Sequence, residues 1–329
     1  MTETPQISIV TSFDNFDDYH YDDPSNPGLG RPMLTLTLEA MAHQTAAPAS
    51  YELIVISPGT DIDWRPHFDE FMGRSDRARE LNFSFHEVKP GGRGWANNCG
   101  IERAKAPLVT FLAGDYIPDA GFVEAHLDFH RRDPQREAVG IGPGLFLPQQ
   151  RENDFCRWLE DGGTLFGVSF TGPNPTVPEH FFCVANVSAK KTFLIEAGLF
   201  DNDFPYPAWD DYEMGLRLRA RGMKAAYVPG ATAIHRHDVT LEARQAAMRR
   251  AGESAYIFEG KYPGPQPWNK TCRKSPSMHR LRASLWKAGY ALSGQQRWRE
   301  KYYQSTLDAA FSAGYREATN SRGARGHQA

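Results

Sequence analysis

The sequence predicts an α/β protein built on a mostly parallel sheet, with a helical extension at its C-terminal end. Three observations carry that prediction. Short, continuously apolar runs alternate with stretches of helical period through the first half of the chain. Those apolar runs end on small, polar or acidic residues. From Thr240 onward the pattern is helical almost throughout, and its charge changes sign. Continuous apolar strands alternating with helices indicate a sheet covered on both faces.

The elements follow in order. Ile7 to Thr11 reads as a strand that begins almost at the N-terminus. The loop FDNFDDYHYDDPSNPGLGRP has neither a period of 2 nor one of 3.6. Met33 to Gln44 places Leu34, Leu38 and Met41 on one helical face. YELIVISPG and LNFSFHEV read as the second and third strands, GWANNCGIERAKA as a helix and LVTFLAG as the fourth strand. Phe122 to Arg131 is a helix, and EAVGIGPG is a strand. Farther on, FFCVANVSA reads as a strand, KTFLIEAGLF as a short helix closed by Gly198, and DYEMGLRLRARG as a helix stopped by Gly222. KAAYVPGATAIHRH holds two short strands around Pro229-Gly230. The helical extension is interrupted by YPGPQPWNK and resumes from Met278 to Ala318, leaving a tail from 319 to 329 that reads as disordered.

Bulk properties narrow the class. The chain has 329 residues, 40% hydrophobic and 23% charged, an ordinary soluble balance. No run of about 18 apolar residues is present, and MTETPQISIV has no secretory pattern. The expectation is therefore a cytoplasmic protein. Cys99, Cys156, Cys183 and Cys272 lie far apart, with no zinc spacing, and read as reduced. Net charge is −3, but residues from Arg244 onward carry 16 Lys/Arg against 5 Asp/Glu (+11), leaving 21 against 35 (−14) for the rest. A basic region can hold anionic substrates, lipid head groups or nucleic acid, or can dock on an acidic body.

The strand ends carry the unusual residues. In LVTFLAGDYIP a buried-type strand stops at Ala113-Gly114 and a single carboxylate, Asp115. Thr11, Ser12 and Phe13 close the first strand, and Ser57-Pro58-Gly59 closes the second. Ligands of open α/β sheets bind outside the carboxyl ends of the strands, so a nucleotide pocket is expected there. Arg93, Gly94 and Asn97 open a helix whose backbone amides suit a phosphate or ribose; the plain alternative is a capped helix with a buried Asn. Asp210-Asp211 opens the helix in PAWDDYEMGLRL, and two adjacent acids exceed what one cap requires. Trp209 beside them would supply an apolar wall that raises a carboxylate's pKa. His235 and His237 sit two apart at a late strand end and share a face.

Taken together, ISIVTSF, GRGWANNCGIERAKAPLVTFLAGDYIP and NVSAKKTFLIEAGLFDNDFPYPAWDDYEMGLRLRARGMKAAYVPGATAIHRH resemble an inverting glycosyltransferase of the GT-A fold, family 2 type, over about residues 6–240. The resemblance implies a Rossmann-like nucleotide-diphospho-sugar transferase domain over 1–240, with a nucleotide-binding half to about 118 and an acceptor-side half from 119. The helical basic extension then covers 241–318. It implies a nucleotide-diphosphate sugar as donor and a divalent cation, Mg²⁺ or Mn²⁺, as cofactor. Asp115 stands where the second acid of Asp-x-Asp would be, with Ala113 in the first place, and would meet the metal and diphosphate; a turn or capping Asp is the bland alternative. His235 is implied as a further metal or diphosphate contact. Asp211 is implied as general base and Asp210 as its orienting or acceptor-contacting neighbour. Asn186 and Trp209 would face the sugar or acceptor. Ser57-Pro58 replaces the acids that usually read the base, so base recognition would differ or use Asp17, Asp18, Asp22 and Asp23 of the early loop. A non-catalytic sugar-nucleotide binding protein of the same fold is the alternative. No nucleic-acid partner is expected; membrane-surface contact through the basic region and a homodimer stay open.

Overall fold

The computed structural model describes residues 4–13, 20–21, 31–59, 65–162, 165, 177–178, 180–236 and 239–326. The Asp17, Asp18 and Asp22–Asp23 part of the early loop, Asp61 and His237 lie outside these. In chain order the elements are β1 (Ile7–Ser12), β2 (His20–Tyr21), β3 (Arg31–Pro32), α1 (Met33–Ala42), β4 (Tyr51–Pro58), α2 (Arg65–Arg74), α3 (Asp76–Glu80) and β5 (Phe83–Val88). They continue as α4 (Arg93–Arg103), β6 (Leu108–Leu112), β7 (Tyr116–Pro118), α5 (Phe122–Arg132), β8 (Ala138–Ile141), β9 (Gly144–Phe146), α6 (Asp154–Asp161), β10 (Asn186–Lys190) and α7 (Lys191–Glu196). The last are α8 (Asp210–Ala220), β11 (Lys224–Tyr227), β12 (Ala233–His235), α9 (Leu241–Lys261), α10 (Asn269–Cys272), α11 (Pro276–Ser293) and α12 (Gln296–Gly326).

The chain divides into two compact units. The first comprises Met1–Asn153, Leu159–Asn202 and Asp210–Asp238. It holds a seven-stranded sheet in the order β11-β8-β10-β6-β1-β4-β5. β1 lies parallel to β4 and β6, β4 to β5, and β8 to β11. Only β10 runs against its neighbours β6 and β8. The sheet is thus mostly parallel, and its strands are buried as their apolar runs require: all eight residues of β4 and all five of β6 are buried. Because β1, β4 and β6 run the same way, Ser12, Pro58 and Asp115 emerge at one edge. Gly114 makes that edge tight: a Cβ there would stand 2.6 Å from Ser12 O.

A second sheet, β7-β12-β9, sits beyond the end of β6. Its register puts His235 opposite Tyr116 on one side and Phe146 on the other. The sequence reading anticipated β11 and β12 as short strands but not this sheet, because strands of three residues carry too little pattern. The strand expected over FFCVANVSA begins only at Asn186. The residues before it form turns, with Phe181 N donating to Pro178 O (2.9 Å) and Asn186 N to Cys183 O (3.3 Å), so those amides are spent locally.

The second unit comprises Asp154–Trp158, Asp203–Trp209 and Val239–Ala329. Thr240 caps α9 through Ala243 N (3.1 Å) and Ser275 caps α11 through Met278 N (3.2 Å). α9 and α12 touch backbone to backbone where glycine is required. A Cβ on Gly252 would meet Phe311 O at 2.1 Å, and one on Gly314 would meet Arg249 O at 1.9 Å. The tail expected to be disordered from 319 is instead helical to Gly326. Thr319, Asn320, Gly323 and Gly326 are poor helix formers, so the helix there is propagated from the rest of α12, which supplies the costly nucleus.

Candidate active site

At the end of β6, Asp115 Oδ2 lies 3.1 Å from His235 Nε2. The pairing follows from register: β12 runs against β7, and Arg236 N donates to Asp115 O (3.1 Å). The imidazole is held edge-on by Tyr116 (5.2 Å) and Phe146 (5.3 Å). His235 is thereby fixed and largely buried, while Asp115 keeps 20% of its side chain exposed. An oxygen and a nitrogen donor stand together at the carboxyl edge of the sheet.

The acid pair opens α8. Successive helical residues point in different directions, so the two carboxylates meet different surroundings. Asp210 is fully buried and bridged by Arg93, with Nε to Oδ2 3.1 Å and Nη2 to Oδ1 2.6 Å. Asp211 keeps 21% exposure and lies 3.2 Å from the same Nη2. Its Oδ1 accepts from Tyr212 N at 2.8 Å. Burial pushes the Asp211 carboxyl up, Arg93 pulls it down and Asp210 pushes it up again, leaving it at about 6. Burial opposes the charge on Arg93, but Asp210 and Asp211 outweigh it and hold the guanidinium firmly protonated.

Asn98, which the sequence reading passed over in favour of Asn97, ties α4 to the chain beyond α7. Its amide donates to Phe200 O (2.9 Å) and accepts from Phe200 N (2.8 Å). Two opposed hydrogen bonds to one backbone residue leave no sequence signal beyond an Asn in a helix. Asn97 itself is buried, and its Nδ2 has no partner among the described residues. Cys183 feels the field of Asp211, Arg93 and Asp210, and lines a narrow cleft with Tyr116, Gly144 and Ala185.

The structure sorts the remaining sequence expectations. Ser12, Gly59, Gly114 and Asp115 reach the edge of the sheet, whereas Thr11, Phe13 and Ser57 are buried beneath it. Gly59 takes φ +66°, which glycine adopts without penalty. Asn186 does not face the cleft with a free amide. Its Nδ2 donates to Ala231 O (2.7 Å) and Pro143 O (3.2 Å), and its Oδ1 lies 3.0 Å from His126 Nε2. Trp209 is likewise engaged: its indole donates to Ala251 O (2.8 Å) and packs on Trp268 with centroids 4.5 Å apart. That anchor holds φ +68°, an uncommon conformation for a bulky residue, directly before the acid pair. Glu213 is buried and faces Arg217, with both oxygens bonded at 2.7 Å.

Among solved structures, the chain superposes on the mannosyltransferase PcManGT from Pyrobaculum calidifontis, in complex with GDP-Man and Mn²⁺, with TM-score 0.57 and 14% identity, covering 95% of this chain and 88% of that one. It superposes on S. aureus TarS with TM-score 0.51 and 12% identity, covering 94% and 55%. The fold is GT-A. In sequence, the GT-A chain is 26% identical over 285 residues to the validoxylamine A glucosyltransferase of Streptomyces hygroscopicus subsp. limoneus, covering 77% of this chain. The relatives found are glycosyltransferases. The chain spans about 60% of the length of that curated relative. No protein-family model matches it.

Within the GT-A fold, Asp115 and His235 are the residues that could hold a cation. Among the described residues no group of three His, Cys, Asp or Glu side chains is arranged around one point. Two protein donors suit a cation whose other ligands are diphosphate oxygens and water.

Proposed function

We propose that this chain is an inverting glycosyltransferase that moves one sugar from a nucleoside-diphosphate sugar to an acceptor hydroxyl. The observation that carries the reading is the division between the two acids opening α8. Asp210 is buried and neutralised by Arg93; Asp211 is part-exposed, with its pKa pushed up to about 6. A carboxylate with a pKa just below neutrality is ionised at working pH and still basic enough to accept a proton. Asp211 takes the proton of the acceptor hydroxyl as its oxygen bonds to the anomeric carbon. The bond from that carbon to the diphosphate oxygen breaks on the opposite face, which inverts the centre. Asp115 and His235 would hold Mg²⁺ or Mn²⁺, which would supply positive charge for the departing diphosphate. The backbone at Ser12, Gly59 and Gly114 lies at the same edge and suits the nucleotide. The names of the relatives, and the GDP-Man and Mn²⁺ of one fold neighbour, agree with a sugar nucleotide and a divalent cation.

A thermal-shift screen of nucleoside-diphosphate sugars, with and without Mn²⁺, tests the reading. At least one donor is expected to raise the melting temperature in a Mn²⁺-dependent way and then to release nucleoside diphosphate when an acceptor is supplied. No shift with any donor would remove the proposal. A donor that binds but is never turned over would favour a non-catalytic binding protein.

A further inference from the structure

Helix α11 buries His279 and Ala283 on one side. On the opposite side it exposes Met278 (50%), Leu281 (58%), Leu285 (59%) and Leu292 (90%). Spacings of three, four and seven place all four on a single stripe, which spans roughly 21 Å at 1.5 Å per residue. They are four of the five exposed large hydrophobic residues among those described; the fifth, Ile195, stands alone. A stripe of this kind marks an interaction surface.

The charge around it indicates what it meets. Residues 260–299 contain nine Lys or Arg and no Asp or Glu. Arg282 leaves α11 at the edge of the stripe, while Arg280 and Lys287 lie farther round the helix, where with Arg249 and Ala283 they line a groove of about 650 Å³ between α9, α11 and α12. Trp286 and Trp298 stack with centroids 5.0 Å apart, and Lys301 Nζ lies 4.9 and 5.0 Å from the two rings. Leucines on one helical face, flanking Lys/Arg and paired indoles are what a helix lying in a lipid interface presents.

We infer that α11 docks flat on an anionic lipid bilayer. The Met278–Leu292 stripe enters the boundary between head groups and acyl chains, Arg282 meets the phosphates beside it, and the other Lys and Arg residues of 260–299 add attraction at longer range. A second copy is a poorer occupant. A two-fold contact through this stripe would bring the basic residues of one α11, which carries no acid, against those of another. No described helix is long and apolar enough to cross the membrane, so the attachment is peripheral. The inference concerns the surface of the helical unit and does not rest on the transferase reading.

Flotation of the full chain with vesicles tests it, using phosphatidylcholine alone and phosphatidylcholine containing phosphatidylglycerol. The protein should float with the anionic vesicles only, and added salt should release it. Leu281→Asp/Leu285→Asp should reduce the bound fraction on the order of tenfold or more, and Arg280→Gln/Lys287→Gln should reduce it on anionic vesicles. Both variants alter exposed side chains and should keep the wild-type melting temperature. Absence of binding to anionic vesicles, equal binding to neutral ones, or full binding by the Asp variant would each overturn the inference. So would a dimer in sedimentation that Leu281→Asp dissociates, because the stripe would then be covered by a second copy.

Discussion

Asp211→Asn should make the protein more stable and less active at the same time. Burial is the main reason the Asp211 carboxyl rises from 3.8 to about 6. At 1.36 kcal/mol per pH unit, the ionised form then costs the folded state roughly 3 kcal/mol relative to the unfolded chain. The sign follows from proton counting. Between about pH 4 and 6 the folded state holds a proton that the unfolded state has released, so wild-type stability falls as pH rises through that window and levels above it. Asn does not titrate, and its amide oxygen can still accept from Tyr212 N. The variant should therefore match wild type near pH 4 and melt several degrees higher above pH 6. Transfer should fall on the order of 10²-fold or more, the scale of losing a positioned base, while donor affinity should persist because the proposed donor contacts are Asp115 and the strand ends. Wild-type transfer should itself climb through about pH 6 and then plateau. The assays are differential scanning fluorimetry from pH 4 to 8 and nucleoside-diphosphate release with a donor found by thermal shift. A variant that transfers at the wild-type rate, or that is less stable at neutral pH, would refute the assignment.

Asp115→Asn should weaken divalent-dependent binding of a nucleoside diphosphate without unfolding the chain; calorimetry with and without EDTA should show the cation's contribution vanish. Arg93→Ala leaves Asp210 buried without its bridge, and should cost about 3–5 kcal/mol of stability in denaturant unfolding. Adding Asp210→Asn should restore most of that loss. Gly114→Ala drives a Cβ toward Ser12 O, so donor affinity should fall together with melting temperature. Burial depresses His126 to about 4, and burial with Lys190 nearby depresses His130 to about 3, both below the unfolded 6.5. The unfolded chain takes up protons first, so stability should drop as pH falls from about 6.5 toward 4, and His130→Asn should flatten that slope in acid-unfolding titrations.

The parallel sheet was legible because its strands are unbroken apolar runs, and the site edge because those runs end on Ser12, Gly59 and Asp115. The acid pair was legible because one helix start carried two carboxylates in sequence. What could not be read was the partner of each. Arg93 and Asp210 are 117 residues apart, and only the packing of α4 near α8 joins them. Asn186 carried no mark separating a sugar contact from a scaffold. Its place emerges only where His126, Ser188, His130 and Lys190 continue one buried polar chain. Trp209 was read by adjacency to Asp210, but a positive φ turns the chain there and its indole belongs to the helical unit. β7 and β9, the three-residue strands on either side of His235, fall below the length at which alternation can be recognised.

Near the acid pair stands a second group that could have been the reactive one. Cys183 shares the field of the acid pair, and a thiolate would be a stronger nucleophile than any carboxylate. Burial, reinforced by the negative charge of Asp211, pushes its thiol up to about 12. It is therefore a neutral, small wall at working pH, because only the thiolate attacks. The same neighbourhood acts in opposite senses on Asp211: burial raises its pKa while Arg93, 3.2 Å away, holds it down. Arg93 thus does two things with one guanidinium. It neutralises Asp210, which solvent cannot reach, and it keeps Asp211 ionised near neutrality. Of the two carboxylates and the thiol described here, that leaves Asp211 both ionised and part-exposed, which supports assigning the proton transfer to it.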